Sequence, residues 1–267
     1  MKQILLFVLV VIVLTSCQKQ YEIPDLIIEG STGGLPLSYK SVSASDPGKA
    51  YVTKFIYDAD KRVAKIYSVE LDSTVSPISK DTFMVETFLY AGANTIPDKL
   101  VTTYYTTNDT TYFQFDNAGR LIKDSTVSLG ITTSVRKITY TTNGFKMSTT
   151  STASYSLADS AVINADNVVF LQRSIPGYSQ YTQNLQLDYD AADNPLYEQN
   201  IRPVRLHIDV SEMGWPFYSR KALKTYTQTG YQSGSFAVTN TLNSSGKLIK
   251  QNVTSNGQQL ILITYEY

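Results

Sequence analysis

One histidine and one cysteine stand in 267 residues, and they bound the chemistry the chain can do. A serine- or cysteine-based hydrolase needs a base beside its nucleophile, and only His207 offers an imidazole. Clustered Cys/His zinc sites lack ligands, and no disulfide can form within the chain. Carboxylates remain. Asp188, Asp190 and Asp193 lie close together in the sequence. On a strand, Asp188 and Asp190 would share a face roughly 7 Å apart, within the range a glycosidase pair can use. Asp190 and Asp193 also fit turn caps, because a turn Asp accepts hydrogen bonds from backbone N–H groups just ahead of it. The turn reading prevails, and no calcium-loop motif surrounds the group. We therefore expect a non-enzymatic protein with no cofactor and no metal. For ligand contact, Trp215, Phe217 and Tyr218 offer flat faces with polar tips. They share with His207 a proline-bearing stretch near 200–220 that breaks the local pattern, and loops on rigid scaffolds often carry function.

The elements that would position these residues are strands. Charged residues make up 17% of the chain, below the roughly 25% that is usual. The 20 Tyr and abundant Thr favour pleated, half-buried strands. Acidic and basic residues balance at 23 each, which gives no reason to expect nucleic acid or another polyanion as partner.

The N-terminus reads as an address. Lys2 precedes an apolar run from Ile4 to Leu14, too short to cross a bilayer as a helix but right for a secretory h-region. Leu14-Thr15-Ser16-Cys17 resembles the bacterial lipobox, which implies cleavage before Cys17 and lipidation of its thiol. Two or three acyl chains anchor a protein stably. Residues 1–16 are thus expected as signal peptide and 17–49 as a Gly/Pro/Ser-rich tether. Residues 50–267 form one β domain with the insertion near 200–220. The tether lacks a dense acidic cluster, which favours a periplasm-facing outer-membrane lipoprotein over a surface-exposed one.

Within the domain a hairpin motif recurs. Phe55 to Lys65, Phe113 to Lys123 and Thr241 to Lys250 each run from an apolar strand end through Asp or Asn into a turn, then a basic and an aliphatic residue. Leu187 to Leu196 is a variant and Ile138 to Met147 a shorter copy. Asp or Asn caps such a turn and Gly supplies positive φ. The flanks alternate as half-buried strands do. Val63, Lys65, Tyr67, Val69 and Leu71 are expected on one face, and Ile261, Ile263, Tyr265 and Tyr267 on another. The pattern predicts an all-β antiparallel meander of about 14 strands, strongly curved or partly closed, with little helix apart from the signal peptide. A transmembrane barrel is the architectural rival. The lipid anchor argues against it, as does Lys or Glu expected on both strand faces.

Tyr57-Asp58-x-x-x-Arg62-Val63 and Phe115-Asp116-x-x-Gly119-Arg120-Leu121 resemble the YD repeat of Rhs-type proteins. With Asp193-Asn194-Pro195-Leu196 and Tyr218-Ser219-Arg220-Lys221, the domain resembles Bacteroidota lipoproteins of unknown function. That resemblance implies a porin-like β fold and says nothing of activity. Asp-Ser/Thr triplets resemble the O-glycosylation sequon of exported proteins in that phylum, which would place glycan on Ser73, Thr110, Ser125 and Ser160. The expected role is a cell-envelope structural or binding module, held to the membrane by its lipid, with a glycan or envelope protein as partner. The alternative is glycan binding or processing through Trp215 and its neighbours.

Overall fold

The computed structural model describes residues 34–152, 156–205 and 219–267. Their strands are β1 (Ser38–Ser43), β2 (Lys49–Tyr57), β3 (Val63–Asp72), β4 (Ser79–Leu89), β5 (Lys99–Tyr104), β6 (Thr107–Phe115), β7 (Leu121–Ser128) and β8 (Ile131–Thr141). They continue with β9 (Gly144–Ser151), β10 (Ser156–Asn164), β11 (Asn167–Ile175), β12 (Tyr178–Asp193), β13 (Lys221–Gly230), β14 (Gly234–Leu242), β15 (Leu248–Ser255) and β16 (Gln258–Glu266). Each strand pairs antiparallel with its sequence neighbours, and β1 pairs with β16, so 16 strands close into a barrel. The all-β meander expected from the sequence is present, and one 3₁₀ turn at Arg202–Val204 is the only helix among the described residues. Two expectations are corrected: the strands number 16 rather than about 14, and the sheet is closed rather than partly closed. Closure depends on β1, which lies within the stretch expected as tether. Ser38 and Tyr39 sit opposite Glu266 and Tyr265, and a sheet with no open edge leaves no row of unpaired backbone groups.

The barrel is a fourfold repetition of one unit. In each unit a strand ends, a turn follows, and the return strand opens on a buried aliphatic residue: Val63, Leu121, Val168 or Leu248. The ladder slips by one residue at each of these turns, between Ile56/Tyr57, Gln114/Phe115, Val162/Ile163 and Thr241/Leu242. Such a bulge bends the strand and re-aims its side chains. The third strand of each unit ends in an apolar-x-Tyr triplet, and the tyrosine hydroxyl donates back to the carbonyl of that first residue. Tyr90 reaches Val63 at 2.6 Å, Tyr140 reaches Leu121 at 3.1 Å, Tyr189 reaches Val168 at 2.5 Å and Tyr267 reaches Leu248 at 2.7 Å. Burial pushes the hydroxyls of Tyr90, Tyr189 and Tyr267 up to about 12, so they remain protonated donors near neutrality.

Three of the turns follow the sequence motif closely. Asp58, Asp116 and Asn243 each accept hydrogen bonds on one side-chain oxygen from the backbone N–H groups two and four residues ahead. The residue before the basic one is left-handed: Gly119 and Gly246, but Lys61 in the first copy. The basic residue then covers the tyrosine of its unit. Arg62 lies 4.4 Å from the Tyr90 ring, Arg120 4.5 Å from Tyr140 and Lys247 4.6 Å from Tyr267. The fourth turn, Asn164 to Val168, was not expected. It is a two-residue turn with positive φ at Ala165 and Asp166, as the strand twist favours. Ile138 to Met147 is the β8–β9 hairpin, but it reverses directly from Thr141 to Gly144. Leu187 to Leu196 is no hairpin: it is the irregular end of β12 and the start of a long connection.

Residues opposite one another on neighbouring strands share a face, which separates the inner wall from the outer. The inner wall carries two cores. One gathers Phe55, Ile66, Phe88, Leu100, Leu248, Ile263 and Tyr265. The other gathers Leu121, Ile138, Phe145, Met147, Leu171, Leu185 and Leu187, and Phe113 and Phe115 pack against both. The face expected to join Val63 to Lys65 is broken by the bulge. Tyr57 lies opposite Val63 and Phe55 opposite Ile66, so Val63 and Ile66 turn inward while Lys65 turns out. The outer wall presents Lys40, Lys54, Lys65, Lys123, Lys137, Lys146 and Lys250 among Thr, Ser, Asn and Gln and among apolar residues such as Val52, Tyr67, Val85, Val101 and Phe170. Glu86, Asp124 and Asp159 turn inward and are buried. Charged side chains thus stand on both walls, as expected: lysines with Asp188 and Glu266 outward, and Glu86, Asp124 and Asp159 inward with Arg136 and Arg173.

Candidate functional site

The turns of the four units gather at one end of the barrel, and the β12–β13 connection folds into that end as a plug. Leu196, Ile201 and Val204 are buried against Phe55, Val63, Ile66, Phe88 and Leu100. Polar side chains hold the plug's backbone in register. Asn200 Nδ2 donates to Tyr90 Oη at 2.7 Å and to the Thr95 carbonyl, and its Oδ1 accepts from the Val63 N–H. Gln199 Nε2 donates to Tyr57 Oη at 3.1 Å, and Tyr57 donates onward to the Pro36 carbonyl. Arg205 reaches the inner wall, where its two terminal nitrogens meet the two oxygens of Glu86 at 2.8 and 2.5 Å. This fork-to-fork pair is geometrically demanding and strong. On the return limb, Ser219 is buried and its hydroxyl lies 2.7 Å from Tyr189 Oη. Ser219 stands where a basic residue covers the tyrosine in the other three units.

The insertion expected near 200–220 therefore begins earlier, at Asn194, and its first half is structural. His207, Trp215, Phe217 and Tyr218 lie outside the described residues, as does Cys17. Their segment leaves from Arg205 and returns at Ser219, both at the plugged end. Two surface clefts flank the plug there. One of about 340 Å³ is lined by Gly34, Asp193, Pro195, Glu198, Lys247 and Tyr267. The other, of about 220 Å³, is lined by Thr95, Ile96, Tyr197, Gln199, Arg202 and Pro203. Gln199 Oε1 is buried and has no hydrogen-bond partner among the described residues, a group that costs stability until a donor meets it.

The carboxylates singled out from the sequence are dispersed in role. Asp188 accepts from Thr225, Asp190 accepts from the Ala191 N–H and from Asn240, and Asp193 pairs with Lys221 at 2.6 Å. The expected hairpin caps are thus side-chain contacts along the β12–β13 boundary, since no hairpin turn forms there. On the inner wall, Asp124 meets Arg136 at 2.5 Å and Asp159 meets Arg173 at 2.9 Å. Burial pushes the Asp124 carboxyl up while Arg136 pulls it down. Nothing in the sequence marks these pairs, because the arginines lie 12 and 14 residues beyond their carboxylates. Of the sequon hydroxyls, Ser73 is exposed in the β3–β4 turn, and Thr110, Ser125 and Ser160 point outward from half-buried wall positions. No group of three or more metal-ligating side chains occurs among the described residues.

The opposite end is open. Inner-wall side chains that are buried near the plug give way to Ser134, Thr149, Arg173 and Gln183, which are partly exposed. Tyr51, Phe83, Tyr104 and Tyr105 form a chain of edge-to-face rings on one side of this mouth. Tyr178, Tyr181 and Tyr231 cluster on strands half the ring away. Leu129, at a hairpin tip, is 87% exposed.

Among solved structures, the chain is similar to a porin-like protein from Bacteroides uniformis ATCC 8492. The two share 9% identity with a TM-score of 0.46, over 86% of this chain and 96% of that one. No protein-family model matches the chain, and no curated protein matches it. The barrel itself rests on the pairing described above.

Proposed function

We propose that the protein is a non-enzymatic cell-envelope lipoprotein: a barrel standing in water, tethered through Cys17, that serves as a binding module. The sorting of side chains between the walls carries this reading. A membrane-spanning barrel presents an apolar band about 25 Å tall to lipid, and a lysine at the bilayer midplane costs roughly 2–4 kcal/mol. Here two apolar cores line the interior, and outward lysines stand on β1, β2, β3, β7, β8, β9 and β15, beside outward apolar residues such as Val52, Tyr67, Val85 and Val101. The outward lysines weigh against burying that wall in hydrocarbon, and the lipobox-like Leu14–Cys17 segment supplies another means of attachment. The chain enters the barrel at Ser38 beside the plug, so the plugged end is the one nearest the tether. The expected consequence is that Cys17→Ala abolishes palmitate labelling and moves the intact barrel from the membrane fraction to the soluble one. Palmitate labelling that persists in that variant would sink the anchor.

A second reading, glycan binding at the plugged end, is favoured by the two clefts and by the unsatisfied Gln199 oxygen. Trp215, Phe217, Tyr218 and His207 belong to the segment rooted beside those clefts. Thermal-shift screening of neutral and acidic glycans, with Trp215→Ala as the comparison, tests it: a hit that survives Trp215→Ala removes this segment from the site.

A further inference from the structure

We propose a binding groove for acidic saccharide on the outer wall across β8, β9, β10 and β11. This goes beyond the reading above and does not depend on the lipid anchor. The overall charge balance conceals the feature, because Lys123, Lys137 and Lys146 cluster on one part of the outer wall. Lys123 on β7 and Lys137 on β8 lie directly opposite one another. Like charges placed so are destabilising, and a fold keeps such a pair at a cost unless an anion joins it. The neighbouring carboxylates give no relief: Asp124 and Asp159 turn inward to Arg136 and Arg173. None of Lys123, Lys137 and Lys146 has an ion-pair partner among the described residues.

Beside these lysines the wall is hollowed. Opposite Lys137 along the ladder come Ser148, Ala158 and Ser174, and opposite Lys146 come Ser160 and Gln172. Short side chains between long ones leave a groove of about 370 Å³. Its floor of hydroxyls and a carboxamide suits sugar hydroxyl groups, the ammonium groups of Lys137 and Lys146 at its edge suit a carboxylate, and Asp159, which also lines it, is paired with Arg173. It has no aromatic platform, so it is not built to stack a neutral sugar ring. An acidic sugar such as a uronate unit meets both requirements. Nucleic acid would need bases to stack or base edges to read, and the groove supplies neither.

The test is titration of the purified full chain with oligogalacturonate, followed by calorimetry, beside dextran as a neutral polymer. Oligogalacturonate should bind and dextran should not, with affinity falling as salt rises. Lys137→Gln/Lys146→Gln should weaken binding at least tenfold. Lys40→Gln/Lys250→Gln removes two outward lysines from the far side of the ring, around Thr264, and should change it less than twofold. All four side chains point outward, and thermal melts of both variants check that the barrel is intact. No binding to the native chain, equal binding of dextran, or equal weakening by the two double variants would each overturn the proposal.

Discussion

The two ends of this barrel solve opposite problems with the same strands. At the plugged end, turns, tyrosines and an inserted segment remove the interior from water: Ile201 is 0% exposed and Leu196 1%. At the open end, hairpins are short and their tips meet solvent: Leu129 is 87% exposed and Tyr105 52%. A ring of 16 strands encloses more width than side chains fill by themselves. The repeated turn and the plug close one end, and the other is left as a mouth. Stability is therefore concentrated at one end and freedom to vary at the other.

The largest way to break this asymmetry is Arg205→Ala. It leaves Glu86 charged and buried on the inner wall without its partner, and a loss of about 3–5 kcal/mol is expected in denaturant unfolding. Ile201→Ala should cost about 2–5 kcal/mol through the cavity it leaves, whereas Leu129→Ser at the mouth should stay within about 0.5 kcal/mol. If the two cost the same, the plug is not what closes the barrel. Alkali should act from the plugged end. The hydroxyls of Tyr90, Tyr189 and Tyr267 sit at about 12 in the fold against an ordinary 10. Their contribution is complete below pH 10 and lost as pH rises toward 12. Stability measured from pH 8 to 12 should fall across that window, and Tyr→Phe changes should flatten the fall. The smallest effect sharpens the repeat itself. Lys61 holds the left-handed position that Gly119 and Gly246 hold in the other copies. Lys61→Gly should therefore raise stability by up to about 1 kcal/mol, read as a shift in the unfolding midpoint.

What the sequence disclosed follows the range of its signals. The turns at Asp58, Asp116 and Asn243 were legible because cap, left-handed residue and return strand lie within a few positions. The same holds for alternation, which placed Ile261, Ile263, Tyr265 and Tyr267 on one face. Closure was not legible, because β1 meets β16 across almost the whole chain and Ser38–Ser43 is short and flanked by Pro and Gly. The bulges disguised the inner wall by spacing its residues three apart, as in Val63 and Ile66 or Leu121 and Asp124. Tyr90, Tyr140, Tyr189 and Tyr267 hid among the other tyrosines, since their shared role shows only when each hydroxyl is seen to reach the equivalent carbonyl of its own unit. The plug read as a loop because Asn194 to Arg205 has no periodicity. Its order comes from the groups it meets, such as Glu86, Tyr57 and Tyr90.

The central claim is that the outer wall faces water. Spin labels at Thr87, Thr139 and Thr264, which point outward from β4, β8 and β16, test it in membranes carrying the full chain. The account predicts that all three collide freely with a water-soluble nickel chelate and show no preference for dissolved oxygen. A band of labels protected from nickel and relaxed by oxygen would place the wall in lipid and contradict it.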